Sequence, residues 1–311
     1  MRLFSWITKD TNIDFLKGRK IAYAISVLLT IASIISISVY GFNYGIDFSG
    51  GVLIEVKSKS GTVDVDAIRA KLSELPLDEL NLQSVGNEGN QLMIRAQSKT
   101  ADEEGQRLVV SEIKKALESE FTFERVESVG PQVGDELKTS GIMASLLAIA
   151  AICLYIWFRF EWKFAVGALI GLFHDVFIIT GLLSIMRFDF SLTTIAAILT
   201  LAGYSVNDTV VTYDRIRENL QKYKKMPQYD LLNKSINDIF SRTILTGITT
   251  LFASISLLIF GGEALRSFSF VICAGILIGT YSSIYISVPL LNMFDLRATP
   301  DDREINPFGN V

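Results

Sequence analysis

Six stretches of nearly unbroken apolar sequence, each close to the length of a bilayer-spanning helix, constrain this chain more than any other feature. A hydrocarbon core of roughly 30 Å needs about 20 apolar residues in helical form. The runs at 21–40, 140–158, 164–186, 191–213, 243–261 and 268–294 approach or exceed that length. Lipid offers no partner for a free backbone N–H or C=O, so each run is expected to be a helix. The first run follows Lys17, Arg19 and Lys20, as a secretory signal would. It is too long for one and lacks a small-x-small cleavage pattern, so it reads as an anchor.

The basic residues orient the bundle. Arg2, Lys9, Lys17, Arg19 and Lys20 precede the first run, Arg159 and Lys163 sit in the 159–163 turn, and six more basic residues lie between 214 and 241. The opposite short loops hold only Arg187 and Arg266. Positive residues stay cytoplasmic, which places both termini inside. The expected organisation is a cytoplasmic N-terminus (1–20), a first transmembrane helix (21–41), an extracytoplasmic domain (42–139) and a five-helix region (140–294). The last carries a cytoplasmic loop at 214–241, and a cytoplasmic tail (295–311) follows. Trp157 and Trp162 on one side, and Tyr40, Phe42 and Tyr44 on the other, have the placement of aromatic belts.

Residues 42–139 carry 18 acidic and 11 basic side chains, which argues against nucleic acid or anionic headgroups as partners. Strand-like alternation at 52–57, 80–85, 91–96 and 121–129 surrounds helical periodicity at 63–75 and 102–120. The second of these helices is expected to pack through Leu108, Ile113 and Leu117, and Gly86-Asn87-Glu88-Gly89-Asn90 reads as a hairpin turn. The order β-α-β-β-α-β predicts a ferredoxin-like α+β domain. That fold names no function, and the segment contains no catalytic constellation. Between 214 and 241, Ile216, Leu220 and Tyr223, then Leu232, Ile236 and Ile239, line one face each of two short helices. These read either as amphipathic helices on the inner leaflet or as a basic loop that only fixes topology.

Ionisable residues inside the apolar runs are the informative ones, because a charge at mid-span costs about 2.5–3.5 kcal/mol on insertion scales. His174-Asp175 lies in the third run and Asn207-Asp208 in the fourth, while Arg242 enters the fifth. Thr246, Thr249, Ala253 and Ser256 follow Arg242 at helical spacing, so the third, fourth and fifth helices are expected to turn these groups toward one seam. Gly167, Gly171 and Gly181 share a face of the third helix with His174, and Gly275 and Gly279 repeat the close-approach spacing in the sixth. His174 is the only histidine, which excludes sites built on two. Cys153 and Cys273 fall in apolar runs and read as packing residues. Neither a cofactor nor enzymatic activity is expected. The acids admit an intramembrane aspartyl protease on paper, but no Gly-x-Gly-Asp precedes either one.

The stretch Gly203-Tyr-Ser-Val-Asn-Asp-Thr209, continuing to Glu218, resembles the fourth-span signature of the SecF side of the SecD–SecF family of protein-export membrane subunits. Gly45-Ile-Asp-Phe-Ser-Gly-Gly51, Val129-Gly-Pro-Gln-Val-Gly-Asp-Glu-Leu137, His174-Asp-Val176 and Ser241-Arg-Thr243 match the same family. The resemblance covers about residues 15–295 and implies a half-transporter of the resistance-nodulation-division superfamily. Its six spans would pair with six of a SecD partner. The pair would associate with the Sec translocation channel and its accessory membrane subunits, in the bacterial inner membrane, and promote late movement of preproteins. Protons would be the coupling ion. The family pattern implies roles in proton flow for Asp208 and Arg242, with Asn207, Asp175 and His174 in support. It implies motif or structural roles for Asp47, Gly50, Gly51, Gly130, Gly134, Gly203 and Tyr204. A proton-driven half-exporter of small molecules or lipids and a passive scaffold for the channel are the competing readings.

Overall fold

The computed structural model describes residues 11–75, 77–85, 89–98 and 103–297. Residues 1–10 of the expected N-terminus, 298–311 of the tail and Gly86, Asn87 and Glu88 of the expected turn lie outside them. In chain order the elements are α1 (Arg19–Tyr40), β1 (Asn43–Tyr44), α2 (Ile46–Ser49), β2 (Gly51–Ser58), α3 (Val65–Leu72), β3 (Leu77–Val85), β4 (Gln91–Ser98), α4 (Glu103–Leu117) and β5 (Phe121–Val129). They continue with α5 (Pro131–Arg159), α6 (Trp162–Ile185), β6 (Asp189–Phe190), α7 (Leu192–Lys222), α8 (Gln228–Phe260), α9 (Gly262–Ser282), a π-helical turn (Ser283–Ser287) and α10 (Val288–Leu291). Among the described residues six helices are long and apolar enough to span a membrane. The chain divides into two compact units, 43–146 with 189–195, and the remainder.

The smaller unit contains the expected α+β domain. Its four strands are antiparallel in the order β3-β4-β2-β5, the ferredoxin-like arrangement. Asp64 starts α3 by accepting the backbone N–H groups of Asp66 and Ala67, both at 3.1 Å, a standard N-cap. Val52, Ile54, Val56, Leu92 and Ile94 turn inward against Ile68 and Leu72 of α3 and Val109, Ile113 and Leu117 of α4. One packing expectation fails: Leu108 is 60% exposed, and Val109 takes the inward position. The buried stripe therefore runs 109–113–117, a strict i, i+4, i+8 spacing that excludes 108. In the same unit β1 pairs in parallel with β6.

In the larger unit α6 packs against α1 and α9, and α8 against α9. The helices outrun their apolar segments. α5 begins at Pro131 rather than near 140, α7 continues to Lys222, and α8 starts at Gln228. Hydropathy reports where lipid is tolerated, whereas a helix continues as long as its backbone bonds do. The amphipathic patterns at 214–241 are thus the ends of spans, not separate helices on a leaflet. Ile216, Leu231, Leu232 and Ile236 are buried with Phe15, Leu16, Phe160 and Phe164 in one core. Polar contacts close that core: Asn219 donates to Ser235 at 2.9 Å and to Asp238 at 3.0 Å. The backbone N–H groups of Ile13 and Phe15 donate to Asn237 and Asn233 of α8. Arg159 grips both oxygens of Asp214.

Candidate functional site

α6 carries Asp175 and α7 carries Asp208, and the last span packs beside both. Glycines bring these helices together: a Cβ at Gly171 would strike Ser287, one at Gly275 would strike Leu201, and one at Gly279 would meet the Ser205 side chain at 3.3 Å. The small-residue face read from the sequence is thus a zone of close approach.

Asp175 is 0% exposed. Its Oδ1 pairs with His174 Nδ1 at 2.9 Å. Its Oδ2 accepts the hydroxyls of Ser205 on α7 at 2.5 Å and Ser282 at the end of α9 at 2.7 Å. The His174 ring lies near that of Tyr281, and its Nε2 is buried with no hydrogen-bond partner among the described residues. A buried carboxylate with three donors is a satisfied group.

Asp208 is different. Thr243 of α8 donates to its Oδ1 at 3.0 Å and the Ser283 hydroxyl lies near the carboxyl group, but Oδ2 is buried without a hydrogen-bond partner among the described residues. Arg242 lies within electrostatic range and forms no ion pair among the described residues. The expected face of α8 is not the one turned inward. Arg242, Thr246, Thr249, Ala253 and Ser256 are all exposed, whereas Thr243, Gly247 and Ser254 are buried. At 100° per residue, a one-residue error in phase is enough to point the wrong face at a neighbour. The single seam of four groups is therefore two hydroxyl-lined clusters, with Arg242 at the margin of the second.

Asn207 leaves the acids altogether. It is exposed and lines a groove of about 370 Å³ with Gly203, Val206, Val210, Ala151, Ile152 and Tyr155. Tyr204 points toward α8, its hydroxyl near Gly247 and Thr250. The remaining motif residues stand in the smaller unit. Asp47 Oδ2 accepts the backbone N–H of Leu192 at 2.9 Å, which satisfies a free donor at the start of α7. Gly50 and Gly51 have φ of 69° and 105°, and a Cβ on Gly51 would lie 2.8 Å from the Ala96 carbonyl oxygen, so only glycine fits there. Gly134 packs against the backbone of Gly50 and Asp47, and Gly130 precedes the proline that opens α5.

Sequence reasoning missed the hydroxyls. Ser205, Asp208, Thr209 and Thr212 recur at offsets of three, four and seven, a polar helical face that was available to be read. Ser282 and Ser283 sit where α9 gives way to the π-helical turn. Such turns arise where a residue is inserted into the helical ladder, often at functional sites. Pro289, two residues beyond, lacks an N–H and crowds the carbonyl four residues earlier, which favours the widened turn. Tyr213, fully buried, donates to the Ser287 carbonyl at 3.1 Å. Chemically, the clusters can hold protons on carboxyl groups and pass hydrogen bonds between helices.

Comparison with known proteins matches this architecture. A family model described as protein export membrane protein SecD/SecF, C-terminal, covers residues 109–297, and one described as the SecD/SecF GG motif covers 35–61. The protein translocase subunit SecF of Rickettsia bellii (strain OSU 85-389) is 48% identical over 285 residues, spanning 91% of this chain and 93% of that one. The SecF subunit of Rickettsia felis is 49% identical over 290 residues, spanning 92% and 93%. Among solved structures, SecDF from Thermus, a translocon-associated membrane protein, superposes with a TM-score of 0.82 at 36% identity. The match covers 91% of this chain and 39% of the SecDF chain, so this chain spans about two fifths of that protein. With both family models matched and a near-full-length likeness to curated relatives, the chain belongs to the SecD/SecF family of protein-export membrane proteins.

Proposed function

We propose that this chain is the SecF-type subunit of a bacterial Sec export assembly, and that it uses the proton gradient with a SecD partner to promote late translocation of preproteins. The observation that carries the reading is Asp208: a mid-span carboxyl group with one buried oxygen unpartnered and a guanidinium nearby but unpaired. A carboxyl group so placed gains or loses its proton with small movements of that cation. One charge crossing the membrane yields about 2.3 kcal/mol per 100 mV, enough to bias a two-state helix arrangement in repeated strokes. Protons are the coupling ion and no other cofactor is required. The protein is a multi-pass subunit of the cytoplasmic membrane with both termini in the cytoplasm. Its partners are SecD, the translocation channel with its accessory membrane subunits, and the translocating chain, and it works as a transport subunit rather than an enzyme. The test is preprotein export into inverted vesicles with and without a gradient. Gradient stimulation should be lost in Asp208→Asn and Arg242→Ala while the complex still assembles. Full stimulation in the Asn variant would leave only a scaffold.

A further inference from the structure

Two carboxylates on different helices meet consecutive residues of a third. Ser282 donates to Asp175 of α6, while Ser283 shares a hydrogen bond at 3.1 Å with Thr209, the residue after Asp208 on α7, which brings its hydroxyl near the Asp208 carboxyl group. Neighbouring residues on a helix point about 100° apart, so one short segment can face two helices. The Ser282 hydroxyl has a single hydrogen and two acceptors, Asp175 Oδ2 at 2.7 Å and the Gly279 carbonyl at 3.1 Å. When Asp175 is ionised, the hydroxyl donates to it. When Asp175 carries a proton, the carboxyl can donate to Ser282, whose own hydrogen then turns to Gly279. Ser205 fixes the same oxygen from α7.

We propose that the Ser282–Ser283 junction couples the proton occupancy of Asp175 to that of Asp208, with both serines acting as positioning residues. This rests on the proton-coupled reading above and adds to it a second acid and the element that joins the two. The π-helical turn that starts at Ser283 supplies the two-state segment, since its ladder is already displaced from the α-helical register. The charged and titratable groups around the pair are His174 and Tyr281 beside Asp175, and Arg242 and Tyr204 beside Asp208.

The experiment is infrared difference spectroscopy of carboxyl protonation across pH, on the full chain reconstituted with its SecD partner in lipid vesicles. The Asp175 band is assigned by its loss in Asp175→Asn. Asp208→Asn should change the proton affinity of Asp175 at least about fivefold, the lower end of ordinary site-to-site coupling. In a chain carrying Ser282→Ala and Ser283→Ala the change should vanish, and the threonine versions should restore it. If the alanine pair does not assemble, Ser283→Cys, which weakens the hydrogen bond at similar volume, should reduce the coupling. An Asp175 affinity indifferent to Asp208→Asn, or coupling unchanged without the serine hydroxyls, overturns the proposal. Gradient-stimulated export is measured on the same vesicles. Stimulation lost in Asp208→Asn without carboxyl coupling sinks the junction and keeps the motor; coupling without loss of stimulation does the reverse.

Discussion

Asp175 and Asp208 are the same residue type on adjacent helices of one bundle, yet their surroundings differ sharply. Asp175 is sealed by His174, Ser205 and Ser282 and has no exposed surface. Among the described residues Asp208 holds one side-chain hydrogen bond of full geometry, from Thr243, and keeps an unpartnered oxygen near an arginine that forms no ion pair. The contrast separates a carboxyl group that holds three helices in register from one whose partners are incomplete. Both carboxyl groups lie inside the bundle, so what distinguishes them is how completely each is hydrogen-bonded.

The contrast can be broken by substitution. The largest expected effect is on Asp208→Asn, which should reduce export to its gradient-independent level while leaving assembly intact, as judged by co-purification with the partner. If Asp175→Asn abolished stimulation equally, the two acids would be functionally alike and the division would fall. Next is Asp175→Ala, which strands His174 and the buried Ser205 hydroxyl, while Ser282 falls back on the Gly279 carbonyl. Each unsatisfied group costs about 1–3 kcal/mol, so its thermal unfolding midpoint in detergent should drop well below that of Asp208→Ala. A similar drop for both would show that Asp208 is as tightly integrated as Asp175. In the α+β unit, Gly51→Ala should cost about 1–3 kcal/mol, because it forces a side chain into a positive φ and against the Ala96 carbonyl. Faster hydrogen exchange in β2 and β4, with helix α6 unaffected, is the expected signature. The smallest effect belongs to Arg159→Ala, since its pair with Asp214 is over a third exposed on both sides. Such a pair contributes at most about 1 kcal/mol, and a larger loss in the unfolding midpoint would mean that it anchors the bundle end.

Much of this was legible in the residues. The six spans follow from the length of apolar runs, and the sheet order from alternating strands separated by two helical segments. The acids stood out because charge inside lipid is costly. Less was legible where two periodic signals competed. Leu108 and Val109 are both apolar, and only packing selects one. The polar stripe behind Arg242 looked like a buried seam, yet the helix buries Thr243 and Gly247 instead. A helical wheel gives relative angles and leaves its absolute rotation open. Asn207, next to Asp208 in sequence but about 100° round the helix, is exposed for the same reason.

By itself the sequence determined the number of spans, the α+β topology and which residues must find partners inside a bilayer, since those depend on composition and period along the chain. The tertiary structure alone decided which hydroxyl meets which carboxylate, and that Ser282 bonds Asp175 while its neighbour Ser283 bonds Thr209. Those contacts join residues up to 107 positions apart. The glycine spacing marks where helices can approach, but the rotation of each helix and the widened turn ahead of Pro289, which together choose the partners, leave no signature in local periodicity.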